Sequence, residues 1–422
     1  MADYIAESMA GDADAALERW AACGAMALTG PADGHPASDT ARVALGADAM
    51  ARMVAELSER RGRPVRVDGA ALLGERAAIA GLSRHGSRSC GGATRLLQAS
   101  DGWLAVTLAR PDDVQLVDAW LETRLGLPTM MSMDDWDPVV AAVRHRSRAE
   151  LVSTAILLGL PCSSRGEVSA ASPLAAIAAS CPSTGRPRSI EGLTVVDLSS
   201  LWAGPLCAQL LGDAGARVIK VESAARPDGA RFGPPEFFDL LHAGHLSVVL
   251  DFASDDGRRW LRRLIESADI VIEASRPRAL AALGASFELA HDAGWRGVWV
   301  SITGYGRSGD AGARVAFGDD AAVAGGLVSE YQGAPGFCCD AVADPLSGLV
   351  AAASVLQCLD QGMTGNIDVA LANVAAHFAA GLDRRPSPDE PRRVTVAPPR
   401  ARTRRGRAAN MGADTDAVLG EL

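Results

Sequence analysis

The stretch Val195–Glu222, VVDLSSLWAGPLCAQLLGDAGARVIKVE, decides the fold. It opens inside Leu193–Ser199, a short β-branched run that reads as a strand, and continues through the turn-like LWAGP (Leu201–Pro205). The following CAQLLGDAGA places apolar residues at helical spacing and closes on Gly215, and RVIKVE is a second strand. Working outward, LSVVLDF, DIVIEAS and GVWVSITGYG are a third, fourth and fifth strand. Between the third and fourth, SDDGRRWLRRLIES starts at the capping-type Ser254 and puts Trp260, Leu261, Leu264 and Ile265 on one face. Strands separated by helices predict a parallel, doubly wound α/β sheet, in which ligands bind at the carboxyl ends of the strands. No G-x-G-x-x-G follows the first strand and no G-x-x-x-x-G-K-[ST] loop occurs, so the sheet is Rossmann-like without a dinucleotide or triphosphate fingerprint.

The chain has 422 residues, room for two or three domains, with 48% hydrophobic and 22% charged residues. Its 41 basic and 51 acidic side chains give a formal charge of −10 and a pI near 5.3, which argues against bulk binding to nucleic acid. Of the basic residues one alone is lysine, Lys220. The eight cysteines form no C-x-x-C pair and no zinc-type cluster, which predicts reduced thiols and no metal. The acidic N-terminus and the lack of an 18-residue apolar run predict a cytoplasmic protein without leader or membrane span.

Two composition breaks mark connections. Ser163–Ser189 is Ser/Pro-rich, and Arg384–Arg407 carries nine arginines and five prolines, which predicts an extended, solvated arm. There is also an internal repeat. ARVALGADAMARMVAEL, ending at Leu57, parallels ADPLSGLVAAASVLQCL, ending at Leu359, with Gly46 and Gly348 in register. Where the first copy has Arg42 the second has Asp344.

Four stretches carry a resemblance: Val195–Glu222, then Leu241–Pro277 (LHAGHLSVVLDFASDDGRRWLRRLIESADIVIEASRP), Val300–Gly309 (VSITGYGRSG) and Val342–Leu356 (VADPLSGLVAAASVL). In order and spacing they resemble the large domain of the class III CoA-transferase family of CaiB/BaiF type. GADTDAVLGEL (Gly412–Leu422) resembles the family's closing residues. The N-terminal half is similar to the family's later part. GAMALTGPADGHP (Gly24–Pro36) matches a segment before the catalytic helix, and Ser83–Leu121 with Ala149–Val168 match a smaller α+β domain. The resemblance thus implies permuted or truncated-tandem halves. Residues 1–80 would be part of a degenerate first large-domain copy, 81–187 the small domain and linker, 188–382 the CoA-binding large domain, and 383–422 the arm and closing segment.

By resemblance, Asp344 is the nucleophile of a CoA-transferase acting on an acyl-CoA and a carboxylic acid. A carboxylate suits that role because its attack on a thioester gives an equally activated mixed anhydride; as a bare pattern, without the resemblance, Asp344 reads as a plain helix N-cap. The resemblance places Trp202, Ala203, Gly204 and Pro205 beside the thioester, with Gly91 and Gly92 as a reduced glycine loop. Lys220, which ends the second predicted strand, Asp228 with Arg231, and Arg276 would face the CoA phosphates or adenine. His242 and His245 replace an amide and a lysine of the family pattern, and Ala274 replaces an asparagine. Arg42 would make the first copy inactive. A 2-methylacyl-CoA racemase is an alternative, weakened because Ala316–Asp320 (AFGDD) lacks the histidine that α-proton transfer needs. A degenerate CoA-binding or assembly protein is another. The family's interlocked pairs imply a homodimer.

Overall fold

The computed structural model describes residues 1–132, 135–181, 186–382 and 394–422. Its centre is a seven-stranded sheet formed by β4 (Ala176–Cys181), β5 (Thr194–Leu198), β6 (Arg217–Ser223), β7 (Leu246–Leu250), β8 (Ile270–Glu273), β9 (Val298–Thr303) and β12 (Thr364–Ala370), ordered β4-β12-β9-β8-β5-β6-β7. Six strands are parallel, and β4 pairs antiparallel with β12 at one edge. Such strands are covered on both faces, which is why IVIE and VWVSIT read as nearly unbroken apolar runs. From β5 the chain winds outward to β6 and β7 on one side and to β8 and β9 on the other. The β5/β8 boundary is therefore the switch point, and its carboxyl edge is where a doubly wound sheet offers a crevice.

The five strands and the Ser254-capped helix (Asp255–Ser267) stand where the pattern places them; Ser254 accepts from Gly257 N–H at 3.0 Å. Two local readings are corrected. Ala203–Pro205 is the first turn of the helix Ala203–Ala214 and not a free turn, since the missing proline N–H costs nothing within a first helical turn. The Ser/Pro-rich connection contains two strands, β3 (Cys162–Ser164) and the edge strand β4. An edge position tolerates the irregular, polar flanks that suggest a linker.

A smaller unit, β1 (Thr94–Ala99), β2 (Gly102–Thr107) and β3, forms an antiparallel sheet with its own core from Leu97 to Cys162, including Trp120 and Trp136. A short hairpin, β10 (Val328–Tyr331) with β11 (Ala334–Phe337), precedes the helix Ala343–Gln361. The main core joins the N-terminal helices to the sheet, with Met9, Trp20 and Met50 in the same cluster as Leu206, Leu349 and Phe378. The helix Arg42–Arg61 lies against Ala343–Gln361 in that core.

The C-terminal arm is a strap, contrary to the expected solvated linker; its residues 383–393 lie outside the described ones. Ala397 N–H bonds to the Ala21 carbonyl at 3.0 Å, Arg400 pairs with Asp68 at 2.5 Å and Arg402 with Glu75 at 2.6 Å. Arg404 and Arg405 pair with Asp239 and Asp213. Prolines hold this segment extended, so successive arginines reach carboxylates on different helices. Cys23, Cys90, Cys162, Cys207, Cys338, Cys339 and Cys358 are free and buried.

Candidate active site

The site lies at the switch point and is organised by two close helix contacts. Trp202 is the N-cap residue of Ala203–Ala214 and is buried, with its ring edge-on to Phe237 at 5.3 Å. The backbone of Gly348, in the helix Ala343–Gln361, approaches Ala203 so closely that a Cβ would stand 2.8 Å from the Ala203 carbonyl. Asp344 lies one helical turn before Gly348. The glycine contact therefore carries Asp344 to the Ala203–Pro205 turn, whose first N–H groups have no partner within the helix.

The Asp344 carboxyl rests over Gly318, where any Cβ would overlap it. Gly318 begins a short helix whose first turn supplies Asp319 and Asp320, both buried. Asp319 Oδ1 accepts from Ala341 N–H at 2.9 Å; Asp320 Oδ1 accepts from Thr107 Oγ1 at 2.9 Å and Phe317 N–H at 2.8 Å. Asp340, fully buried, accepts from Arg76 Nε at 2.8 Å and Nη2 at 2.5 Å. Four aspartates and one guanidinium thus share a confined space. Burial, helped by Asp319, Asp340 and Asp320 against the pull of Arg76, pushes Asp344 up to about 7. Burial and Asp340 push Asp319 to about 6, and burial pushes Asp320 to about 7. Arg76 stays charged because Asp340, Asp319 and Asp344 outweigh its own burial.

Backbone strain collects here. Among the described residues five non-glycine positions have positive φ, and three border the site: Leu201 (70°), Cys339 (56°) and Ala341 (45°). Each such residue costs roughly 1–3 kcal/mol and persists where surrounding contacts over-determine it. Cys339 and Ala341 bracket Asp340, the Arg76 partner.

The small unit closes the other side. A Cβ on Gly91 would lie 3.4 Å from Arg76 Nη2, so the Gly91–Gly92 turn passes beside the same guanidinium, which also stands 5.7 Å from the Trp202 ring centre. Asp344, Trp202 to Pro205 and Gly91 are thus brought together around Arg76.

Three expected phosphate contacts stand differently. Lys220 is the fourth of seven residues in β6 and not its end, and it is buried. Its ammonium sits 2.9 Å from Asp228 and 3.6 Å from Asp197 and donates to the Ser199 carbonyl. Those carboxylates outweigh burial and raise its pKa. Lys220 thereby braces the Ser199–Leu201 turn, since Asp228 also accepts from Leu201 N–H at 3.0 Å. Arg231 grips Glu222 at 2.5 Å and lies 4.2 Å over the Phe238 ring. Arg276 has no carboxylate partner among the described residues. It follows β8 at the switch point, where burial and the charges of Arg278, Arg110 and Arg226 depress its pKa, and Ala274 beside it is exposed. His242 and His245 are buried beside Lys220, and burial lowers both, His245 to about 4. Arg42 donates to the carbonyls of Met9 and Gly11.

Arg76, Asp319, Asp340 and Thr107 escape the sequence reading. A faint signal exists, because ERAAIA (Glu75–Ala80) and CCDAVAD (Cys338–Asp344) each set two charged residues in an otherwise small, apolar run. Their pairing across 264 residues leaves no local trace.

Residues 190–394 match the model of CoA-transferase family III. A succinate–glutarate CoA-transferase of Agrobacterium fabrum is 30% identical over 213 residues, 45% of this chain and 53% of that protein. The human succinyl-CoA:glutarate CoA-transferase is 30% identical over 34% of this chain and 36% of its own length. A probable CoA-transferase of Mycobacterium tuberculosis is 35% identical over 30% of this chain and 17% of its own. A CAIB/BAIF family protein of Brucella suis, solved by crystallography, aligns at 30% identity and TM-score 0.41, covering 45% of this chain and 55% of that one. The chain spans about half or less of the length of these relatives.

Proposed function

From the match of residues 190–394 to CoA-transferase family III, we propose that the protein moves CoA between an acyl-CoA and a carboxylic acid, with Asp344 as the nucleophile. The observation that carries this reading is the Asp344 carboxyl, held beside the Ala203 helix start by the Gly348–Ala203 contact and within the field of Arg76.

Ionised Asp344 attacks the thioester carbonyl, and CoA thiolate leaves. The bound aspartyl acyl anhydride is then attacked by that thiolate at the aspartyl carbon, releasing the donor carboxylate and leaving an aspartyl–CoA thioester. The acceptor acid reverses the two steps, and no proton is consumed overall. Each attack makes an oxyanion, and the donors suited to it are the N–H groups opening the Ala203–Ala214 helix and the Gly91 N–H, the Gly92 N–H being given to the Ser89 carbonyl at 2.9 Å. Arg276, lacking a carboxylate partner among the described residues and surrounded by Arg278, Arg110 and Arg226, is suited to the CoA phosphates. Lys220 and Arg231 act behind the site: one braces the turn before Ala203, the other is held by Glu222.

Racemisation draws no support from this geometry, because the position its histidine would take belongs to the aspartate pair Asp319–Asp320. The test is to incubate the protein with an acyl-CoA, add hydroxylamine and map the modified residue by mass spectrometry. A hydroxamate on Asp344, absent in Asp344→Asn, is the expected result. Deuterium entering the α-carbon without CoA exchange would replace the reading with racemisation. Neither signal, over a range of acyl-CoA compounds, would leave a non-catalytic CoA binder.

A further inference from the structure

We propose that Arg76 is a positioning residue for Asp344: its guanidinium clamps the turn from which the Asp344 helix starts and balances the charge of the aspartates around it. The inference rests on Asp344 being the reactive carboxylate but adds a residue from the far end of the chain.

Three contacts converge on this side chain. Its fork holds both Asp340 oxygens, at 2.8 and 2.5 Å, in the bidentate geometry only arginine offers. Asp340 sits between the strained Cys339 and Ala341, and Asp344 N–H bonds back to the Ala341 carbonyl at 2.9 Å. A clamp on Asp340 is therefore a clamp on the first turn of the Asp344 helix. The guanidinium also lies 5.7 Å from the Trp202 ring centre and beside the Gly91 backbone, so one cation stands between the residue that opens the Ala203 helix, the glycine turn and the nucleophile's turn.

The clamp is itself anchored. Arg76 follows Glu75, which is buried and bonded by the Arg402 guanidinium at 2.6 and 2.9 Å and by the Arg402 N–H at 3.0 Å. Pro399 packs over Gly74, with a Cβ there only 3.0 Å from the proline ring. The C-terminal strap thus presses the start of the Arg76 helix inward.

Charge gives the second half of the argument. The titratable groups that bear on Asp344 are Asp319 and Asp320 from the Gly318 helix, Asp340 from its own entry turn, and Arg76. Arg76 is the one cation among them. Without it Asp340 would be a buried, unpaired carboxylate beside Asp344, and two like charges there cannot both ionise readily.

The experiment follows the side-chain carboxyl carbon of Asp344 by NMR in the full chain labelled with ¹³C-aspartate, the signal being assigned by its loss in Asp344→Asn. In Arg76→Gln its titration midpoint should rise by at least about one pH unit, the size expected on losing an opposite charge nearby. Arg76→Lys, which keeps charge but not the fork, should recover part of the shift. Asp340→Asn should move the midpoint down, and this variant decides the matter if Arg76→Gln does not fold. An unchanged midpoint in folded Arg76→Gln, or an unchanged or raised one in Asp340→Asn, overturns the proposal. The readout needs no CoA, so absent hydroxamate formation with these shifts intact would sink the transferase reading, whereas unchanged midpoints with hydroxamate formation intact would sink the role of Arg76 alone.

Discussion

The helices Arg42–Arg61 and Ala343–Gln361 are built alike and begin differently. Both are long, both close on a glycine (Gly62 and Gly362), both carry a glycine in register, and they pack against one another in the main core. The second opens with Asp344, a residue the positive end of a helix favours by about 0.3–1 kcal/mol. The first opens with Arg42, which that same end disfavours. Arg42 resolves the conflict by reaching away, onto the carbonyls of Met9 and Gly11 where the helix Ala2–Met9 ends, and a helix C-terminus welcomes a cation. The repeat thus keeps the packing of both copies and reserves chemistry for one. What replaces the lost carboxylate is a staple for the N-terminal helix.

The comparison breaks most visibly at the carboxylate. Asp344→Asn should cut hydroxamate formation at least about 1,000-fold, the scale seen when a nucleophile is removed, while Arg42→Asp should create no label. A label at position 42 of that variant would mean that the first copy retains a working site. Next comes pH. Asp344 is pushed up to about 7, and the attacking form is the ionised one, so the labelling rate should climb about tenfold per unit below pH 7 and level off above it. The sign for stability is opposite. A carboxyl raised in the folded state favours folding while protonated, and that contribution is lost as pH rises towards 7. The melting temperature of Asp344→Asn relative to the native protein should therefore rise between pH 4 and pH 7, by at least about 1 °C, and stay level above that.

The two register glycines sharpen the comparison at a smaller scale. An alanine Cβ at Gly348 meets the Ala203 backbone carbonyl, which cannot step aside without moving the oxyanion turn. Gly348→Ala should cost about 1–3 kcal/mol in denaturant unfolding and slow labelling. At Gly46 the Cβ meets the Phe378 ring at 2.7 Å and the Met9 side chain at 3.1 Å, both able to shift. Gly46→Ala should cost less than its counterpart and leave labelling intact; equal effects would deny the two helices their different roles.

Legibility in the sequence follows the range of the interactions. Strands β5 to β9 and the Ser254 helix are readable because their signals, β-branched runs, a capping serine and a closing Gly215, lie within a few residues. Asp344 is readable only through family resemblance, since its local pattern is that of any helix start. Lys220 reads as a strand end facing phosphates because a lone lysine among arginines invites a role. Its partner Asp228 and the neighbouring-strand Asp197 come from separate elements, and they turn it inward. The arm reads as solvated because the carboxylates that Arg400, Arg402, Arg404 and Arg405 meet come from much earlier in the chain, as Glu75 does for Arg402. Arg76 is silent for the same reason.

The smallest effect tests the reason given for Arg42. If its place is a compromise between helix dipole and carbonyl bonding, removing the side chain abolishes both a favourable and an unfavourable contribution. Two bonds to carbonyls from a charged donor would alone suggest a larger loss than a neutral pair. The dipole penalty relieved at the start of Arg42–Arg61 offsets part of it. Arg42→Ala should therefore destabilise by about 0.5–1.5 kcal/mol in urea unfolding, with proteolysis becoming faster near Gly11, where the staple is lost. Hydroxamate formation on Asp344 should not change, because Arg42 bonds to the Met9 and Gly11 carbonyls, away from the site. A fall in labelling matching that of Gly348→Ala would instead mean that the two helix starts act together.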